Sequence, residues 1–346
     1  MQTLKCWTHE EIHSQPEAWA HGLSTLQSNA HALRELWKGG DYEQVLFTGC
    51  GSPYYAGMAI ATLLREQMGL LAEAQPASEV WLNPRAAYAQ NKRILLVALS
   101  RSGETTEVLN ACEAFRARKQ GDIVTLSCNP HASLAKVGDL NIVLISGQET
   151  SLAQTRAFTT LYLAGVACGA IWASKDGVLD EMARLPEVGR RMLPLHESIA
   201  HNLGADQTFD RYYFLGSGPR YGLACELSLK VKEMSLGQSE PFHFLEFRHG
   251  PQSMVNPNTL IIGLLSETNY DREMAVLNDV AQFGGRLLPI GEQVVGTHAA
   301  SFNSGLSEAV RQVLYLPVGQ MLGLERALSK GLNPDQPHQL NAYVKL

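Results

Sequence analysis

No pair of cysteines in this chain is spaced Cys-x-x-Cys. Its six cysteines (Cys6, Cys50, Cys112, Cys128, Cys168 and Cys225) are scattered over 346 residues. They form neither a disulfide framework nor a zinc-ligand set, so a reducing, cytoplasmic location is the expectation. No run of about 18 apolar residues occurs. The opening Met1-Gln-Thr-Leu-Lys-Cys-Trp-Thr8 has no apolar signal core, and no membrane association is expected. The eleven histidines are scattered along the chain, and neither a tight metal site nor another cofactor is expected. No Gly-x-Ser-x-Gly elbow supports a hydrolase triad. Two Gly-x-Gly turns are present. Tyr54 and Tyr221 stand where a dinucleotide fingerprint needs its last glycine, which gives such a site poor support. The formal net charge is −6, with no basic stripe. That argues against a nucleic-acid partner and leaves room for a local site for a small anion.

What remains is a globular chain, 45% hydrophobic and 18% charged, long enough for two domains. Thr8-His-Glu-Glu11 has the form of a capping box. A helix or helix pair runs from there to about residue 37, and Gly39-Gly40 ends it. Strands are expected at 45–48, 78–81, 94–99, 122–127 and 140–145. Helices are expected at 54–67, 104–117 and 154–172. The alternation indicates an α/β fold of doubly wound parallel sheets. A polar helical stretch at 174–210, with breaks at Pro186 and Pro194, joins two halves. Phe47-Thr-Gly-Cys-Gly-Ser-Pro-Tyr54 matches Phe214-Leu-Gly-Ser-Gly-Pro-Arg-Tyr221 at an offset of 167. The strand from Ile94 matches the one from Leu260 at an offset of 166. Two matches at nearly one offset indicate a duplicated domain.

The stretch Ile94-Leu-Leu-Val-Ala-Leu-Ser-Arg-Ser-Gly-Glu-Thr105 organises the first half. Six apolar residues read as a strand covered on both faces. Ser100, Ser102, Gly103 and Thr105 follow before a helix. Such a turn gathers backbone N–H groups, hydroxyl donors and a helix N-terminus at one place, which suits phosphate. A capped helix after a core strand explains the same residues equally well. The corresponding stretch of the second half, Ser266-Glu-Thr-Asn-Tyr-Asp271, is acidic and bulkier.

Acid–base candidates lie in the second half. On a helix over 221–235, Glu226, Lys230 and Glu233 share one face at spacing i, i+4, i+7. They form either an exposed salt-bridged face or, in a cleft, a carboxylate and lysine tuned for proton transfer. In Glu246-Phe-Arg-His-Gly-Pro251, His249 is either a general acid or base or a structural histidine bonded to nearby carbonyls. Arg248 and Glu246 read as a surface pair.

Together these residues resemble the sugar isomerase (SIS) domain family. The likeness is to the isomerase half of glutamine–fructose-6-phosphate transaminase, to amino-sugar-phosphate deaminase/isomerases and to fructosamine-phosphate deglycases. It rests on Ser100–Thr105, Arg156-Ala-Phe-Thr-Thr160, Leu229-Lys-Val-Lys-Glu233, Arg248-His-Gly-Pro251 and Asp335-Gln-Pro337, which fall in the family's order. The opening Trp7 to Trp19 is similar to the galactosamine-phosphate deaminase/isomerase branch. With no glutaminase domain preceding it, ammonia transfer from glutamine is not expected.

The resemblance implies two tandem flavodoxin-like SIS domains. An N-terminal helical segment would span 1–38, the first domain 39–175, a helical linker 176–205, and the second domain 206–346, with a C-terminal tail closing the site. It implies that Ser100, Ser102 and Thr105 bind phosphate, with Gly51 and Ser52 in the Gly-x-Gly loop, Arg101 beside them, and Leu152 and Gln154 lining the sugar. Glu233 would move a proton between C1 and C2, with Lys230 beside it. His249 would assist ring opening from a neighbouring subunit, which implies a homodimer. The implied activity is isomerising deamination of an amino-sugar 6-phosphate. Deglycation of a fructosamine 6-phosphate, plain aldose–ketose isomerisation and non-catalytic sensing of a sugar phosphate are the alternatives. Three positions depart from the transaminase pattern. Arg101 replaces a glutamine, Pro53 replaces a phosphate-contacting serine, and Ala342 stands where the transaminase places an imine-forming lysine.

Overall fold

The computed structural model describes residues 6–346. Two parallel five-stranded sheets carry the fold. The first contains β1 (Gln44–Gly49), β2 (Ala72–Pro76), β3 (Ile94–Ser100), β4 (Ile123–Ser127) and β5 (Leu140–Val143), in the order β2-β1-β3-β4-β5. The second contains β6 (Arg211–Gly216), β7 (Gln238–Phe242), β8 (Thr259–Leu264), β9 (Arg286–Gly291) and β10 (Ala300–Ser301), in the order β10-β9-β8-β6-β7. Read from its other edge, the second order repeats the first. Every residue of β1, β3, β4 and β8 is buried, as strands covered on both faces must be. The order reverses between β1 and β3, and again between β6 and β8. In such sheets ligands bind at that reversal, outside the strands' carboxyl ends. The loops after β1 and β3 therefore flank one crevice of the first sheet.

The chain forms two compact units. One comprises Gln15–Glu149, Arg156–Pro186 and Asn341–Leu346 and holds the first sheet. Its core includes Leu46, Ile94, Leu96, Phe115 and Ile123. The helix Arg156–Trp172 is buried along nearly its whole length, so it is apolar all round. Trp19 Nε1 donates to Thr159 Oγ1 on that helix at 2.9 Å. The other unit comprises residues up to Ser14, Thr150–Thr155 and Glu187–Leu340. Its core includes Tyr213, Leu215, Phe244, Ile261 and Val276.

The two Gly-x-Gly turns adopt one backbone shape. Gly51 has φ 60° and ψ −125°, and Gly218 has φ 58° and ψ −134°. Both precede a helix, Ser52–Leu63 and Pro219–Ser235. Residues with a Cβ rarely adopt such a φ, which explains the second glycine of each turn.

Several sequence expectations are corrected. Residues 78–81 are not a strand but part of the helix Ala77–Leu82, whose Ala77 and Val80 share a buried face. The strand is Ala72–Pro76, an edge strand without a β-branched residue, held by its pairing with β1. Edge pairing overrides its weak propensity. Thr8 is not the cap of a capping box. The helix Trp7–His13 begins one residue earlier, and Asp335 accepts from Trp7 N at 2.9 Å, Thr8 N at 2.7 Å and Thr8 Oγ1 at 2.7 Å. Pro194 does not break a helix. It lies inside Leu185–Ala205, whose first turn takes Pro186, where a missing N–H is harmless.

Candidate functional site

In the first unit, β3 ends at Ser100 and the chain turns through residues 101–105 into the helix Thr106–Arg118. Ser100 Oγ accepts from Gly103 N at 3.0 Å, and Ser102 Oγ accepts from Glu104 N at 3.3 Å. These two bonds close the loop on itself. Glu104 then ties it outward, accepting from Ser133 N at 2.7 Å and Ser133 Oγ at 3.0 Å. Gly103 has φ 68°, and an added Cβ would lie 2.6 Å from Ala132 Cβ, so this position excludes larger residues. Among the described residues the Thr105 hydroxyl and the N–H groups of Ser102 and Thr105 make no hydrogen bond. An anion held here would meet those donors and the start of a helix. Ser52, on the neighbouring loop after β1, is the first residue of its helix and is buried, whereas Gly51 is exposed.

Arg101 points elsewhere. Its side chain is buried. Nη2 donates to the Ala342 carbonyl at 3.1 Å, and Nη1 lies 3.9 Å from Glu149 Oε2. Glu149 Oε1 also accepts from Arg156 N at 2.6 Å. Two departures from the family pattern, Arg101 and Ala342, thus meet. The tail continues past the loop. Thr106 N donates to Val344 O at 3.3 Å, and Leu346 N donates to Thr106 Oγ1 at 3.2 Å.

In the second unit, the helix Pro219–Ser235 carries Glu226, Lys230 and Glu233. The exposed salt-bridged face is ruled out, because Glu226 and Lys230 are both 0% exposed. Lys230 Nζ lies 3.3 Å from Glu226 Oε1 and donates to Glu233 Oε2. Burial alone would pull the ammonium's pKa down. The charges of Glu226 and then Glu233, with their hydrogen bonds, more than reverse this and hold it above the ordinary value. Lys230 is therefore a fixed cation. The Glu233 side chain keeps 19% of its surface exposed, so of the two carboxylates it is the one a solute can reach.

His249 follows a single 3-10 turn, Glu246–Arg248, and is exposed. Among the described residues nothing bonds its ring, which removes the structural-histidine reading. Arg248 pairs with Asp279, not with Glu246. Residues 150–155 belong to the same unit. Glu11, buried, accepts from Thr150 N at 2.5 Å, Ser151 N at 3.2 Å and the Ser151 hydroxyl. Leu152 N donates to Asp335 O at 2.9 Å. Gln154 Oε1 is buried and, among the described residues, accepts no hydrogen bond. No local pattern marks the partners that Glu11 and Asp335 hold, because those partners lie more than a hundred residues away.

Residues 41–170 match the SIS domain family. The isomerizing glutamine–fructose-6-phosphate aminotransferase of Methanothermobacter thermautotrophicus is 25% identical over 97% of this chain and 56% of its own length. The chain thus spans a little over half of that relative. The Streptomyces coelicolor protein named "Putative D-galactosamine-6-phosphate deaminase AgaS" is 29% identical over 95% of this chain and 91% of its own. A glucosamine-6-phosphate deaminase structure from Thermotoga maritima superposes with a TM-score of 0.77 at 25% identity, covering 98% of this chain and 99% of that one. The tagatose-6-phosphate ketose/aldose isomerase structure of Escherichia coli gives 0.85 at 22% identity, covering 96% and 95%, and shares the fold. Over residues 41–170 this chain is thus similar to the SIS domain family.

Proposed function

We propose that this chain is an isomerising deaminase of an amino-sugar 6-phosphate, yielding a ketose 6-phosphate and ammonia. The observation that carries the reading is Glu233, a partly exposed carboxylate whose inner oxygen is held by a buried lysine cation. One base within reach of two adjacent carbons removes the C2 proton of the open-chain aldehyde and returns it to C1. The C2 amine becomes an imine, water adds to it, and ammonia leaves. Lys230 stabilises the negative charge that develops on the way. His249, exposed and unbonded, is suited to assist ring opening, and the resemblance would bring it from the other subunit of a homodimer. The hydroxyl loop, with Ser100, Ser102, Thr105 and the Gly51–Ser52 turn, binds the phosphate. Leu152 and the buried oxygen of Gln154 contact the sugar. Arg101 acts on the tail through Ala342. With alanine at 342, no enzyme-bound imine forms at that position. The Streptomyces coelicolor and Thermotoga maritima relatives support the reaction class.

Incubation with galactosamine 6-phosphate and with glucosamine 6-phosphate, measuring ammonia and ketose phosphate, tests the reading. Ammonia released in step with ketose is the expected result. Deuterium exchange at C2 without ammonia would replace it with plain aldose–ketose isomerisation. Tight sugar-phosphate binding with neither exchange nor ammonia would make the protein a sensor.

A further inference from the structure

The helix Trp7–His13 places His9 and His13 one turn apart, facing Glu197 of the helix Leu185–Ala205. A ligand nitrogen of each histidine and a carboxylate oxygen of Glu197 all lie within 4.8 Å of one another. They border a surface hollow of about 410 Å³ that His201 and Glu325 also line. All five residues belong to one compact unit.

The hydrogen bonds around His13 decide what the cluster can hold. His13 Nδ1 is 2.8 Å from the His9 carbonyl oxygen, which only accepts, so Nδ1 carries the proton. In a neutral ring Nε2 then presents its lone pair. That nitrogen is 2.5 Å from Glu197 Oε1, another lone-pair donor. Two lone pairs at this distance require a cation on or between them. A second proton on His13 would meet the need but would leave the His9 ring idle. His9 stacks on His13 at 4.1 Å between centroids and 23° between planes, which brings a second imidazole to the same point. An Nδ1–H bonded to a backbone carbonyl is also the usual way a metal-binding histidine is oriented. Glu325 Oε2 meets His201 Nδ1 at 2.8 Å on the rim of the hollow and adds negative charge there.

We propose that His9, His13 and Glu197 bind one borderline divalent transition-metal ion of the zinc type, with water completing its coordination. Two imidazoles and one carboxylate suit zinc over magnesium or calcium. Bonds of about 2.0–2.1 Å place tetrahedral ligand atoms roughly 3.3 Å apart, so rotation of exposed side chains is enough to close the set. The site is structural. The opposite side of the same short helix carries Glu11, which holds residues 150–151. An ion joining 7–13 to 185–205 would therefore steady the segment that bears Leu152 and Gln154. His9-Glu10-Glu11-Ile12-His13 has the His-Glu-x-x-His spacing that puts two imidazoles on one helix face, and only the third ligand, Glu197, is distant, 184 positions from His13.

The test uses the full, tag-free chain, stripped with a chelator and titrated with cobalt(II) chloride and then zinc chloride. The expected result is one cobalt per chain with visible d–d bands that zinc displaces, and a melting temperature that rises with added zinc. His13→Ala and Glu197→Gln should each weaken binding about tenfold or more. Circular dichroism checks that both variants fold, which their exposed or half-exposed positions favour. No metal uptake by the wild-type chain would overturn the proposal and leave an imidazolium–carboxylate pair. Uptake that survives unchanged in either variant would overturn the ligand set.

Discussion

Replacing Lys230 by methionine tests whether the buried charges of the helix Pro219–Ser235 act as one unit. Methionine keeps the unbranched stem and removes the ammonium. Lys230 and Glu226 are both 0% exposed and 3.3 Å apart. Glu226 would then stay buried without its cation. Removing one partner of a buried pair costs about 3–5 kcal/mol, whereas replacing both by neutral groups of like volume is close to neutral. Lys230→Met should therefore lose about 3–5 kcal/mol, and Lys230→Met/Glu226→Gln should recover roughly half or more of it. For a unit of this size 1 kcal/mol moves the melting temperature by roughly 2–4 °C, so the single variant should melt roughly 6–20 °C lower. Burial lowers the folded-state pKa of Lys230, but Glu226 and Glu233 outweigh it and hold that pKa above its ordinary 10.5. Stability from a raised lysine is fully present below the unfolded value and is lost as pH rises through the folded one. The gap between wild type and single variant should thus stay flat from neutral pH to about 10 and narrow only above that. Circular-dichroism melts and urea titrations across this range provide the measurement. A gap under about 1 kcal/mol at neutral pH, or a double variant no better than the single one, would refute the reasoning.

Glu233→Gln should lower kcat about 100-fold or more while sugar-phosphate binding, measured by calorimetry, persists; unchanged turnover removes Glu233 from the mechanism. Thr105→Ala deletes a hydroxyl that bonds to nothing in the described structure, so it should raise KM with stability within about 0.5 kcal/mol of wild type. Ser100→Ala deletes the acceptor of Gly103 N, and should also cost about 1 kcal/mol of stability in denaturant titrations. Arg101→Gln removes the donor to Ala342 O, and hydrogen exchange over residues 341–346 should speed up about tenfold; unchanged exchange would show that the tail is held without it.

Wherever the sequence carried a short-range pattern, the fold could be read from it. The apolar run from Ile94 announces a strand because burial on both faces leaves no room for polar residues. Gly51 and Gly218 announce matching turns because their backbone angles demand glycine. The hydroxyl loop showed its chemistry for the same reason, being contiguous. Misreadings came where distant residues took over local roles. Thr8 and Glu11 have capping-box spacing, yet Thr8 bonds to Asp335 and Glu11 to residues 150–151. The edge strand Ala72–Pro76 has little strand propensity and exists through its partner β1. The burial of Glu226 and Lys230 depends on what packs over their helix, so spacing alone left two readings open. Arg101 drew attention as an unusual loop residue, but its partner is the Ala342 carbonyl, 241 positions away.

The hold of Asp335 on the helix Trp7–His13 fixes an order of events during synthesis. The two amides and one hydroxyl that this carboxylate satisfies are made well before it, and the carboxylate follows 327 residues after Thr8. At about 5–20 residues per second the wait is roughly 16 to 65 seconds. For that time residues 6–14 lack their cap, while 15–149, which form one continuous piece of the first unit, are already complete. The helix Trp7–His13 is thus made before the first sheet and fastened after it, and a chain cut short before residue 335 would carry a finished first sheet and leave that helix without its cap.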